Sequence, residues 1–531
     1  MVGSGQLNFG GAYTASGQLN FGVVTPDLPV NVASQVRYRC RLTFGNPSAT
    51  DIQEDVLQTN IVRNIADIQD SLRAGVADFV LCNDDGRYST LNNSSDLFGL
   101  LGLNTPIQFS GVFTSSGGIL FELDIDRLDN SAQLSELHPL FTGNVQEINV
   151  DPRLDGPRNA TLRCQDNMEQ FLNRQVSTDI LTNVGVSSAF TEVLNEANIP
   201  LRSIDPIDRQ LGFFWVNKLQ LGTTLDDMIF AGDDKIFMSP TNVLNIKNRV
   251  FELGKTPVAF YDEMFDLRFS INDRDLFNQF VIQSQPREIV SDVVTLSTLI
   301  EVLTVPASQS VGFFLDYFDP FNNEISPAIN LVTPVASLDY ETNTASDGTG
   351  IVVTNSLVVT IAFFAESAVQ TLTNPTGTDM FVTRYQLRGN PIRRQNPFTV
   401  TFNDETSQSS FGVKELTLSS RFMQGRDFVE DYGDYLLELK SRLRPNIGLS
   451  IRNDFPNIFT TQLSDILTIQ NSFLNINSGY TVFGIEHSIS ADVNGWVHDV
   501  NYDIKERIFL NAFTLNSSED GILNEDRLGL S

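Results

Sequence analysis

The sequence predicts a mainly β protein, β-rich α+β with a few short helices, divided into several modules. Three observations carry that prediction. Period-two alternation of apolar and polar residues recurs along the chain. Phe, Val, Ile and Thr are abundant while long helical patterns are few. A length of 531 residues allows three or four domains. Hydrophobic residues make up 41% and charged ones 19%, so sizeable cores can form and wholesale disorder is not expected.

The chain opens on a repeat. Residues 4–22 read SGQLNFGGAYTASGQLNFG, one heptamer written twice. Alternation sets Leu7, Phe9, Leu19 and Phe21 against Gln6, Asn8, Gln18 and Asn20, and the glycines between suit a turn. Such a hairpin has too little surface to stand alone. The expectation is an assembly arm that adds strands to a neighbouring chain, with Leu7, Phe9, Leu19 and Phe21 as anchors. The alternative is a glycine-rich lead-in without a partner.

QVRYRCRLTF then alternates without fault: Val36, Tyr38, Cys40, Leu42 and Phe44 inward, Arg37, Arg39, Arg41 and Thr43 outward. The arginines admit three readings: an anion-binding stripe, the polar face of a strand paired with nearby acids, or a basic ridge that meets another subunit. AGVADFVLCNDDGRYS is a strand ending in an Asx/Gly turn at Asp85 and Gly86. FTGNVQEINV is another strand. ATLRCQDNMEQFLN passes from alternation at Ala160, Leu162 and Cys164 to a short helix, entered through a capping-box-like pair, Asp166 and Glu169. A second short helix is expected over 191–197, ending before Pro200.

Residues 286–400 change character, being rich in Thr, Val and Pro with short strands and many turns, as a β-sandwich insertion would be. Phe428, Tyr432, Tyr435, Leu436, Leu439 and Leu443 follow helical spacing, closed by Pro445. GYTVFGIEHSISADVNGWVHDVNYDIKE reads as a hairpin with Asn494-Gly495 as its two-residue turn. That register sets His498 opposite Ala491 and His487 opposite Tyr502, roughly 13 Å apart at ~3.3 Å per residue, too far to share a metal. The last residues, NSSEDGILNEDRLGLS, look like a polar tail.

The 35 Lys and Arg against 65 Asp and Glu leave a net charge of −30. Most of such a surface repels nucleic-acid phosphates and anionic membranes. Cys40, Cys82 and Cys164 are odd in number, without CxxC or a disulfide framework, and Cys40 and Cys164 read as buried thiols. The start carries no basic region followed by an apolar block, and the longest apolar run, LVVTIAFFA, is far short of a membrane span. A soluble or assembled protein without a membrane anchor, made in a cytoplasm, is the expectation. With so many acids, no carboxylate pair stands out for glycoside hydrolysis. NDDGRYS fails as a calcium loop: with Gly86 sixth, the first and twelfth positions are Leu81 and Asn92. HExxH, GxSxG and GxxxxGK[ST] are all missing. No catalytic residue, cofactor or metal is expected.

Taken in order, these segments resemble the hub protein at the distal end of a bacteriophage tail, the baseplate or tail-tip hub. The carrying stretches are VRYRCRLTF with ADFVLCNDDGRYSTLN, LFTGNVQEINVDP with ATLRCQDNMEQFL, FTEVLNEANIP, and MIFAGDDKIFMSPTNVLNIKNRVFEL. The sandwich-like segment 334–392 and the closing strands SFGVKELTLSSRF and GIEHSIS…GWVHDVNYDI complete the set. The resemblance spans about three quarters of the chain. It implies a structural, non-enzymatic virion protein, a homotrimer whose tail-tube-like β-barrel modules, two per chain, let a threefold ring match a sixfold tube. The implied partners are the tail tube or distal tail protein, the tape-measure protein and fibre or spike proteins, with DNA only in transit. The modules expected are an N-terminal arm (1–34), a first barrel (35–175), an α+β connecting module (176–285), the sandwich (286–400) and a closing barrel with its tail (401–531). The competing classes are a secreted β-rich carbohydrate-active enzyme and a cell-surface adhesin.

Overall fold

VRYRCRLTF forms β1 (Val36–Phe44), burying Val36, Tyr38, Cys40 and Leu42 and exposing Arg37 and Thr43, as its alternation requires. It belongs to a computed structural model that describes residues 36–44, 48–66, 72–113, 136–153, 156–492 and 495–507. The anchors Leu7, Phe9, Leu19 and Phe21 lie outside the described residues.

Six more strands extend this beginning: β2 (Ser48–Asp51), β3 (Val56–Asn64), β4 (Val76–Cys82), β5 (Pro106–Phe113), β6 (Glu136–Asp151) and β7 (Asn159–Gln165). They run antiparallel in the order β3-β4-β7-β6-β5-β1-β2. Helix α1 (Met168–Leu172) follows β7. Its entrance departs from the capping-box expectation. The side chain of Asp166, not that of Glu169, serves the helix start: one oxygen accepts from Met168 N at 2.9 Å and the other from Gly75 N at 2.8 Å. Both oxygens are then occupied, and the carboxylate ties the helix to the strand entry at β4.

Helices α2 (Val186–Glu196) and α3 (Leu221–Gly232) pack with short sheets around a second core that includes Phe190, Phe214, Leu225 and Ile246. α2 starts earlier than its sequence pattern suggested. Val186, Ala189, Phe190, Val193 and Leu194 make one continuous buried face, so tertiary packing begins the helix at Val186, directly after the short strand Leu181–Gly185.

The chain then adds β8 (Ala259–Tyr261) and β9 (Asp266–Ile271) to the large sheet before entering the sandwich. There β10 (Arg287–Ile289) pairs with the fifteen-residue β11 (Met380–Arg394), the spine of a six-stranded sheet. A three-stranded sheet faces it across a third core with Tyr317, Leu372, Val382 and Tyr385. Helix α4 (Arg426–Lys440) returns the chain and buries Val429, Tyr432, Tyr435 and Leu436 in the second core.

The end of the chain supplies β12 (Pro445–Arg452), β13 (Ile466–Asn471), β14 (Ile476–Asp492) and β15 (Gly495–Glu506). β14 pairs with β3 from Gln58 opposite Ser490 to Asn64 opposite Gly484. That seam merges both ends of the described chain into one thirteen-stranded sheet running from β9 at one edge to β2 at the other. The mainly β, multi-sheet architecture is as expected. The strand pairings among the described residues leave the large sheet open rather than closing a ring. It curls instead around one shared apolar core, in which Tyr38 and Phe109 from the first half meet Phe459 and Tyr502 from the last.

The final hairpin corrects the expected register. Asp492 pairs with Gly495, a register one step earlier than a turn at Asn494-Gly495 would set. Moving the loop by one residue moves each cross-strand partner by two. His498 therefore stands opposite Ile489 and His487 opposite Val500.

Candidate functional site

The register change brings His487 and His498 together. They occupy diagonal positions on the inner face of β14 and β15, where side chains two steps out of register still touch. His487 Nδ1 and His498 Nε2 are 3.0 Å apart, and His498 Nδ1 is 2.8 Å from the Tyr38 hydroxyl on β1. Both rings are buried. Burial pushes the His487 pKa well below its usual value, helped by His498 and Arg63, and takes His498 down to about 3 against the opposing pull of Asp499. Arg63 sits diagonally across the β3–β14 seam from His487. Its Nη2 donates to Gln462 Oε1 at 3.1 Å, while its Nε and Nη1, like His487 Nε2, are buried without a partner. Arg63, His487, His498 and Tyr38 thus form a polar row through the largest core. Sequence reasoning separated the histidines because it placed the turn one residue too late.

This row is not arranged as a metal centre. The two histidine nitrogens face each other at hydrogen-bonding distance, and among the described residues no group of three or more His, Cys, Asp or Glu could hold an ion. Cys40 and Cys164 are fully buried, and burial raises both thiols, which makes them inert packing residues. At NDDGRYS, Gly86 takes φ of 74°, and Asp85 accepts from Arg87 N at 3.0 Å, as an Asx turn does. Asp84 accepts from Arg158 N at 2.9 Å, so both of the loop's acids are engaged, and Arg87 also bridges Asp55 and Asp96. A cavity of about 410 Å³ lies between the large sheet and the second core. Its floor is closed by an internal network in which Asp233 accepts from Lys235 at 2.5 Å and from the Tyr435 hydroxyl at 2.8 Å.

The basic ridge lies on the outer face of β1 beside the β2 edge. Arg39 and Arg41 converge on Asp51 of β2 at 3.2 and 2.8 Å, and Arg37 is exposed. At the opposite edge, β9 leaves Phe269 and Ile271 exposed, with Phe265 just before it. The alternation of Leu267, Phe269 and Ile271 was the available signal for this strand; nothing local announced that its partner side would stay open. More apolar exposure occurs in the loop after β4, at Leu91, Phe98, Leu100 and Leu103, and on the sandwich at Ile300 and Phe321.

No family model matches the sequence, and no curated protein matches it. Among solved structures the chain is similar in trace to a tail protein from Neisseria meningitidis MC58, with a TM-score of 0.47 and 8% identity over 88% of this chain and 96% of that one. It is similar to the prophage MuSo2 43 kDa tail protein from Shewanella oneidensis, with a TM-score of 0.44 and 8% identity over 88% and 97% of the two chains. A chain of the Francisella PdpA–VgrG complex overlaps 90% of this chain and 59% of its own length, with a TM-score of 0.40 and 9% identity.

Proposed function

We propose that this chain is a structural, non-enzymatic tail protein that forms the hub at the distal end of a phage tail. In this reading it joins the tail tube to the tip, fibre or spike proteins and lines part of the DNA conduit. The observation that carries the proposal is the β3–β14 seam. It fuses two antiparallel strand groups, one from each end of the described chain, into a single sheet whose edge strands among the described residues are β2, β8 and β9. A subunit with two such groups supplies two wall segments, so three copies would present six, and its free edges offer backbone hydrogen bonds to neighbours. The sandwich, emerging as one insertion with its own core, is suited to face outward toward other tip components. The net charge of −30 suits a conduit, because a negative wall does not trap passing DNA.

Reconstruction of the assembled particle by electron cryo-microscopy tests the proposal. Three copies around the distal tail axis are expected. A single copy, or copies placed in the capsid or along the tube, would overturn it. Purified protein should clear no peptidoglycan or polysaccharide substrate in zymography.

A further inference from the structure

Where the sandwich leaves the body of the protein, β10 and β11 place Arg287 directly opposite Arg394. Directly opposed residues share a face, and like charges in that position destabilise a sheet. The next pair turns the other way and is well matched: Glu288 stands opposite Arg393, whose guanidinium makes a two-pronged bond to Asp319 at 2.6 and 2.9 Å. Arg388, further along the same strand, grips Asp339 at 2.5 and 2.9 Å. The two facing arginines have no such acid. Among the described residues Arg287 makes no ion pair; its guanidinium lies 4.5 Å from the Trp215 ring, and its Nε is buried without an acceptor. Arg394 is exposed and likewise unpaired.

A third guanidinium, on the main body, is close enough to Arg287 to repel it. Arg421 lies over Phe422 at 4.6 Å, approaches Asp227 only to 3.6 Å, and leaves its Nε and Nη2 buried without acceptors. Another carboxylate nearby, Glu366, is committed: it accepts from Trp215 Nε1 at 2.9 Å and Asn217 Nδ2 at 2.7 Å. Burial, then repulsion from Arg394 and Arg421, takes the Arg287 pKa down to about 10. The fold neutralises Arg388 and Arg393 with built-in aspartates, yet leaves donors of Arg287 and Arg421 buried without acceptors near the exposed Arg394.

We propose that Arg287, Arg394 and Arg421 form a binding site for a small oxyanion of the phosphate or carboxylate class. Guanidinium forks match both geometries with paired N–H donors. The bound anion would span the root of the sandwich, joining Arg287 and Arg394 on the insertion's first and last strands to Arg421 on the body. It would thereby stiffen the joint already pinned by Glu366. The site is independent of the hub assignment, so either can fail without the other.

The test is calorimetric titration and thermal melting of the full chain with inorganic phosphate and, separately, succinate, each against sodium chloride at matched ionic strength. Saturable binding of one oxyanion with a raised melting temperature is expected, and the responding arm identifies the class. Arg394→Gln, at an exposed position, and Arg287→Gln should each weaken binding by roughly tenfold or more. Arg268→Gln, which removes an equal charge from a distant strand, should leave binding unchanged. Equal responses to chloride and both oxyanions, or equal weakening by Arg268→Gln and Arg394→Gln, would overturn the site in favour of general charge screening.

Discussion

His487 Nδ1 lies 3.0 Å from His498 Nε2, although the two residues are eleven positions apart in the chain. Their pairing follows from a hairpin whose register sets them two steps apart on one inward face. The acid response of the protein depends on it.

Both rings are held neutral in the folded state, their pKa values below the unfolded value of about 6.5. As pH falls below that value the unfolded chain takes up protons that the folded chain refuses, so the histidines' contribution to stability declines from pH 6.5 toward about 3. Asp166, pushed up to about 6 by burial, acts with the opposite sign, because its folded form binds a proton more readily than the unfolded chain. Comparing His487→Leu with the parent separates the two effects. The variant should be less stable at pH 7.5 but show a shallower fall in melting temperature between pH 6.5 and 5. Parallel curves would show that the pair does not govern acid stability.

Gly111 stands opposite Tyr38, and a Cβ there would overlap the buried ring of Phe459. Phe459 is wedged among Tyr38, His138, Phe455 and His498, so it cannot step aside freely. Gly111→Ala should cost about 1–3 kcal/mol by overpacking, despite the usual preference for Ala over Gly in a strand. Denaturant unfolding gives the value; a neutral or stabilising result would mean that the ring yields.

Gly495 opens β15 with φ of 119°, a conformation that a β-branched residue rarely adopts. Gly495→Val should lower stability by about 1–3 kcal/mol. Thermal melting indistinguishable from the parent would contradict a strained position here.

If residues 4–22 are an assembly arm, deleting residues 2–22 should leave the melting temperature of the isolated chain unchanged and reduce its incorporation into tails. Two copies of one anchor raise effective concentration without new binding chemistry. Normal incorporation and full infectivity of particles carrying the truncated chain would leave the repeat without that role.

Local chemistry determined much of this protein before any contact was known. Alternation assigned Tyr38, Cys40 and Leu42 to the interior and Arg37 to the surface, because a strand's two faces follow from a period of two. Helical spacing identified the buried face of α4, and the Thr/Val/Pro-rich segment foretold a sandwich. Tertiary structure alone decided what pairs with what. The β3–β14 seam joins strands from opposite ends of the chain, and no local pattern encodes such a partner. The histidine pair depended on a loop position only one residue from the expected one, which the full ladder of β15 against β12 and β14 sets rather than the turn sequence. The facing of Arg287 and Arg394 likewise arises from a pairing across more than a hundred residues of insertion. Long-range register is fixed by the summed burial of many side chains, and that sum exists only in the folded molecule.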